Sequence, residues 1–216
     1  MSSLKSKTMN NIKVINENED YANCIVYENL GTTIMFDSGQ SLEVLKELNL
    51  KIDAIFLTHG HYDHVAHLDE IVNYFKIPVY LSKECYNSLQ YTCINLSKFY
   101  GIDYQTRLQD TSFNFLSDGQ MLEFNSLKIK VLSLKGHTSC SLGFIFNDTL
   151  IAGDAVFENS IGRYDLPTGN AKESLNSLNK IFNEKNINII YPGHGKEFTG
   201  DEFKKKYEYY KSLIKI

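Results

Sequence analysis

Residues 58–67 read THGHYDHVAH and hold four of the chain's six histidines, His59, His61, His64 and His67, around Asp63. Imidazoles set this close together repel one another once protonated. The arrangement becomes favourable when something gathers the neutral rings, and a divalent metal ion does so most simply. In an extended segment residues i and i+2 project to the same side, so His59 and His61 can grip one ion, and Gly60 between them permits close approach. Asp63 and His64 follow as the chain turns into a helix and can address a second position a few ångströms away. One short loop can thus carry ligands for two metals. Imidazole and carboxylate suit zinc, and also iron or manganese.

This loop cannot complete two sites alone. His137 lies in SLKGHTSCSLGF, His194 in IIYPGHG and Asp154 in LIAGDAVF. Each follows an apolar run that reads as a strand, and each sits beside a glycine. Three strand ends therefore offer His137, Asp154 and His194 to the same chemistry, and five of the six histidines are then used.

The elements that must position these residues can be read from the spacing of apolar positions. CIVY (24–27) and TTIMFD (32–37) read as strands, and SLEVLKELN (41–49) as a short amphipathic helix capped by Ser41, with Glu43 and Glu47 on its wet face. DAIFLT (53–58) is nearly continuously apolar, as a strand buried on both faces should be. A helix over 67–75 and a strand over 77–81 follow, so the histidine loop falls at the carboxyl end of a parallel strand, where open α/β sheets bind ligands. The Tyr-rich middle predicts a helix over 83–98. Strands return at 113–116, 127–134, 142–146 and 149–153, then a helix at 171–184, a strand at 188–192 and a charged helix at 201–214. Two halves, each with strands first and helices after, predict an α/β fold of the four-layer αββα sandwich type.

Composition bounds the rest. With 216 residues, 43% hydrophobic and 22% charged, and no linker-like stretch, the chain is expected to form one domain over 1–216. A net charge of −4 gives no electrostatic footprint for nucleic acid. The run Lys204–Lys206 beside Asp201, Glu202 and Glu208 reads as a solvated helix face. The opening MSSLKSKTMNNIKVIN has no apolar core of a secretory signal, and no run approaches a membrane span, so a cytoplasmic protein with no membrane partner is expected. Cys24, Cys85, Cys93 and Cys140 form no CxxC pair and read as thiols in a reducing compartment, with Cys140 notable for following His137 by three residues.

Taken in order, THGHYDH, GHTSCSLGF, GDAVF and YPGHG resemble the motifs of the metallo-β-lactamase fold, over roughly residues 12 to 200. The resemblance implies that His59, His61 and His137 hold one metal, that Asp63, His64 and His194 hold a second, and that Asp154 bridges them. Asp154 stands where true β-lactamases usually offer cysteine, which disfavours antibiotic hydrolysis. His67 is expected outside the ligand set, at a position where the related glyoxalase II enzymes have glycine, and there it would narrow the pocket or act behind the ligands. Thr58 is expected to close the strand end. Asp37, in FDSG, resembles a recurrent acidic position behind the ligands, and a turn-forming role is weighed equally.

The stretch GDAVFENSIGRYDLPTGN (153–170) resembles the SIGR-x-D-[FL]-P-G-G signature of single-domain glyoxalase II-like hydrolases, with departures at Tyr164 and Thr168. Arg163 and Asp165 are expected to pair and stiffen this loop. The reaction implied is thioester hydrolysis of the hydroxyacylglutathione hydrolase kind, by a hydroxide bridging two divalent metals, with Asp63 as the catalytic residue that orients the nucleophile and takes its proton. The partner is a small-molecule thioester. The alternative on the same fold is a mononuclear iron persulfide dioxygenase using His59, His137 and Asp154. Such enzymes read G-R-x-D-F-Q where this chain has GRYDLP, so the sequence leans away from it. The final segment KEFTGDEFKKKYEYY lacks the Asn-Pro element common in the single-domain group.

Overall fold

Strands form where short apolar runs end in turn residues, and helices where the apolar positions recur every three to four. The computed structural model describes residues 8, 9 and 11–215. The expectation of no leader-like segment rests mostly on residues 1–7 and 10, which lie outside the described residues. Two compact units divide the chain: an N-unit, from the start to Leu81 with Tyr86–Phe115, and a C-unit, Ser82–Cys85 with Leu116–Ile216.

The N-unit carries a sheet in the order β1 (Thr8–Met9), β2 (Ile12–Ile15), β3 (Cys24–Asn29), β4 (Thr32–Phe36), β5 (Ala54–Phe56), β6 (Val79–Leu81) and β7 (Phe113–Phe115). Pairing is antiparallel from β1 to β4 and parallel from β4 to β7. The change falls where β4 and β5 are buried along their whole length, as parallel strands usually are. Helix α1 (Leu42–Glu47) joins β4 to β5, and α2 (Tyr62–Val65) with α3 (Leu68–Phe75) joins β5 to β6. Ser41 caps α1 through its hydroxyl to Val44 N, while Leu42 and Leu45 turn inward. The register sets Phe36 opposite Phe56 and Phe56 opposite Tyr80, with ring centroids 5.6 and 4.5 Å apart. This aromatic row braces three strands beside the ends from which the functional loops leave.

The helix expected over 83–98 stops early, as α4 (Lys83–Ser88). Beyond it Asn95 takes over locally: its Oδ1 accepts from Ser97 N at 3.0 Å and its Nδ2 donates to Tyr104 O at 3.0 Å, while Leu96 turns left-handed with φ 63°. Side-chain to backbone bonding of this kind competes with helix. The break has a use, because the Asn95 carbonyl accepts from Tyr62 N at 2.6 Å and so satisfies a donor in the first turn of α2.

The C-unit carries the sheet β13-β12-β11-β10-β9-β8, from β8 (Met121–Phe124), β9 (Leu127–Ser133), β10 (Leu142–Phe146), β11 (Thr149–Gly153), β12 (Ile189–Pro192) and β13 (Phe198–Thr199). Only β11 and β12 run parallel, with α5 (Ala171–Asn183) as their crossover. Helix α5 buries Ser174, Ser177, Leu178 and Ile181 along one face. Leu178 and Ile181 join a core with Leu132, Leu134, Leu150 and Ile190 of the sheet segments and Phe203 and Tyr210 of α6 (Gly200–Ser212). Strands β1, β2, β8 and β13 lie outside the strands expected from the sequence. The half-exposed alternation of β8 and the two-residue length of β13 give little apolar signal. No described helix is long and apolar enough to cross a membrane.

Candidate metal centre

In the N-unit, β5 ends and the chain turns at Thr58 into the histidine loop. Asp37, the residue after β4, organises that turn. Its Oδ1 accepts from Thr58 N at 2.7 Å, and its Oδ2 accepts from the Thr58 hydroxyl at 2.7 Å and from His64 Nδ1 at 2.8 Å. Asp37 is buried with a left-handed φ of 58°, so it is both a turn residue and the acid behind the ligands. The Thr58 hydroxyl has one proton and gives it to Asp37, so at 3.1 Å it accepts from His59 Nδ1–H. His59 and His64 each have Nδ1 committed to this network, which fixes the tautomer and turns Nε2 toward metal chemistry.

His59 Nε2 and His61 Nδ1 stand 3.1 Å apart, and His64 Nε2 stands 3.7 Å from Asp63 Oδ2. Two nitrogens bound tetrahedrally to zinc lie about 3.3 Å from each other. Both pairs have the spacing of atoms that share an ion, so the donor set fits the group. His59 and His64 are fully buried.

The one-turn helix α2 that carries Asp63 and His64 is held from outside. Ala22 N donates to Asp63 O at 3.1 Å and Ser38 N to His64 O at 2.7 Å. A Cβ on Gly39 would overlap Asp63 O, so only glycine lets the strap pass this close. Gln40 then ties the 17–22 segment down, accepting from Glu17 N and Asn18 N and donating to Ala22 O. Sequence reasoning named Asp37 but missed Ser38, Gly39 and Gln40; the buried glycine and amide beside an acid after a strand were the available signal. His67 lies off the ligand cluster, with Nδ1 2.7 Å from Glu70 Oε1 and its ring 5.8 Å from that of Tyr21.

In the C-unit, the three residues leave three loops. The register of β11 against β12 shifts between Ile151 and Gly153, and Gly193 N donates to Gly153 O at 2.9 Å, so the ends carrying Asp154 and His194 are laced together. Asp154 Oδ2 lies 3.5 Å from His137 Nε2 and 3.7 Å from His194 Nε2. His137 Nδ1 donates to Arg163 O at 2.6 Å, which again leaves Nε2 for a metal. A Cβ on Gly162 would overlap Asp154 O, so the chain crosses directly over the aspartate there. The Arg163 guanidinium forks onto Asp165 at 2.9 and 2.9 Å as expected, but this pair is exposed. What orients the His137 ring is the Arg163 carbonyl. Cys140 is buried with its thiol 3.2 Å from Thr138 Oγ1, and its carbonyl accepts from Ser82 Oγ, so it packs beneath the His137 turn. None of the four cysteines is in a disulfide.

Both units thus present His and Asp donors at ligand spacing, backed by acceptors that set each ring. The profile of the Metallo-beta-lactamase superfamily matches residues 18–194. The chain belongs to this superfamily. It is a metal-dependent hydrolase with a His/Asp metal site, and it has the metallo-β-lactamase fold, as the sequence motifs implied. It is 32% identical to a probable metallo-hydrolase of Methanocaldococcus jannaschii over 173 residues, covering 75% of this chain and 82% of the relative. It is 29% identical to a hydroxyacylglutathione hydrolase of Haemophilus influenzae over 198 residues, covering 88% and 92%. Among solved structures it resembles BLEG-1, a B3 metallo-beta-lactamase, with a TM-score of 0.79 at 30% identity, covering 88% of this chain and 95% of that one.

Proposed function

We propose that this superfamily member hydrolyses a small-molecule thioester, in the manner of a hydroxyacylglutathione hydrolase, with the help of two divalent metals. The two units then act as one catalytic domain over 1–216. His59, His61 and His137 would hold one ion, Asp63, His64 and His194 the other, and Asp154 would serve both. The observation that carries this reading is the single Asp154 oxygen set at 3.5 and 3.7 Å from the Nε2 atoms of His137 and His194. One atom in that position can serve two ions. Zinc fits the donors best, and iron or manganese fit them too.

When bound, two such ions lower the pKa of water to near neutrality and polarise the carbonyl of the substrate. The chain supplies the rest. Asp63 Oδ2 orients the attacking oxygen and takes its proton. The Asp37 carboxylate and the Arg163 carbonyl keep His64 and His137 in the ligating tautomer as charge shifts. The leaving thiolate, with an ordinary thiol pKa of about 8.5, departs readily at neutral pH. The 29% identity to a hydroxyacylglutathione hydrolase over most of both chains supports the thioester class.

The test is elemental analysis of protein purified without chelator, followed by thiol release from S-lactoylglutathione with a β-lactam measured in parallel. About two metals per chain and thioester turnover well above β-lactam turnover support the proposal. A single iron per chain, or turnover of the β-lactam alone, overturns it.

A further inference from the structure

We infer that the C-terminal helix α6 and the residues that follow it are part of the support of the metal centre: the helix clamps the tip of the 155–165 loop and the following residues hold its Tyr164 end, and through that loop they set how tightly the C-unit ligands bind metal. The inference rests on the proposed ligand roles of His137, Asp154 and His194. The loop touches all three. Gly162 lies against the Asp154 carbonyl, the Arg163 carbonyl accepts from His137 Nδ1, and the Phe157 ring stands 6.2 Å from that of His194. Inside the loop a bridge between Val156 and Ile161 and a bond from Phe157 N to Ser160 O close a tight turn. These bonds leave the turn's tip, Glu158 and Asn159, to be held from elsewhere.

Helix α6 holds it. Tyr210 OH donates to Glu158 O at 2.8 Å, Lys206 Nζ to Glu158 O and Asn159 Oδ1 at 2.9 Å each, and Tyr209 OH to Asn159 O at 3.2 Å. The Tyr210 side chain is fully buried against Phe203, at a ring distance of 5.5 Å, so this contact is built into the core. The other end of the loop is held after the helix ends: Tyr164 OH donates to Leu213 O at 3.3 Å and accepts from Lys215 N at 3.0 Å. Tyr164 is adjacent to Arg163, whose carbonyl orients His137. Lys206 therefore departs from the solvated-face reading of the basic run, since its ammonium lies on the turn. A ligand that swings costs affinity, and removing a partner behind a ligand typically lowers metal affinity 10- to 100-fold.

The test uses the whole protein and reads metal affinity by competition with a chromophoric zinc chelator. Three variants are compared: Tyr164→Phe with Lys206→Met, Lys211→Met on the same helix, and His137→Ala. Lys211 pairs with Glu208 and does not contact the loop, so it controls for loss of a helix charge. The double variant is expected to keep its far-ultraviolet circular dichroism and to bind one of its zinc ions about tenfold or more weaker, with Lys211→Met unchanged. Wild-type affinity in the double variant, alongside weakened binding in His137→Ala, overturns the clamp and leaves the ligand assignment standing. Wild-type affinity in His137→Ala overturns the ligand assignment itself, and the clamp with it. If the double variant loses its fold, Tyr164→Phe alone, which keeps the ring, is measured in the same way with the same two outcomes.

Discussion

The two units arrange their His and Asp donors in opposite ways. The N-unit places four candidate ligands within one loop, 59–64, and braces them with a buried carboxylate, Asp37, that reaches His64 directly and Thr58 just before the loop. The C-unit takes one ligand from each of three loops. It braces them with main chain: the Arg163 carbonyl on His137, the close pass of Gly162 over Asp154, and the Gly193 to Gly153 bond. A local cluster can be stiffened by one side chain. A cluster assembled from distant segments has to be stiffened by whatever backbone passes nearby. The N-unit should therefore be sensitive to a single charge, and the C-unit to backbone shape.

The sharpest break is at Asp154. Asp154→Ala is expected to lower turnover by about three orders of magnitude, several kcal/mol of lost stabilisation. It should also strip at least one metal while circular dichroism shows a folded chain; full metal content with normal turnover would refute the bridging role. Next is Asp37→Asn, which keeps the left-handed turn, since asparagine tolerates it, and removes the charge behind His64. A 10- to 100-fold loss of metal affinity or activity is expected, read by chelator competition and steady-state kinetics. Gly162→Ala tests the backbone side of the contrast. Its Cβ would overlap Asp154 O, and overpacking of this kind costs about 1–3 kcal/mol, measurable as a lower urea midpoint.

How far this was legible follows from the same contrast. The N-unit ligands were plain because they are contiguous, and His137, Asp154 and His194 were recognisable because each follows a strand and sits beside a glycine. The braces were harder to see. Asp37 could be named only as one of two roles, and nothing in SIGRYD distinguishes a guanidinium that acts from a carbonyl that acts. The parallel strand at 53–58 was readable from its unbroken apolar run, whereas β8 and β13 at the sheet edges are exposed or very short, and β1 and β2 carry too few apolar positions to stand out. The helix expected over 83–98 ends at Ser88, and the Asn95 bonds to Tyr104 and Ser97 that shape the segment beyond it are not reported by local propensity.

Two smaller predictions sharpen the picture. Arg163→Ala deletes an exposed fork but not the carbonyl, so activity should stay within about twofold, since exposed ion pairs contribute little. A large loss would move the role to the guanidinium. Glu202 accepts from Thr199 N and Oγ1 in the capping box of α6, and these bonds hold its carboxyl below the ordinary glutamate range. A depressed folded value means the cap stabilises above a pH of about 4.3 and loses that contribution as pH falls through the folded value. Glu202→Gln should flatten the acid limb of the stability curve slightly, seen as a smaller drop in Tm between neutral and acid pH.

The parallel pairing of β11 with β12 has a consequence in time. Asp154 and His194 become neighbours only after the crossover through α5 has been laid down, because parallel strands cannot be joined by a tight turn. The 59–64 donors lie on one contiguous stretch and need no crossover between them. Contacts of high sequence separation close late, so a refolding chain would pass through a stage with the histidine loop organised and the strand-end ligands still apart. Ions offered at that stage would meet only the N-unit's donors, and the order of metal uptake during refolding would record the order in which the two sheets mature.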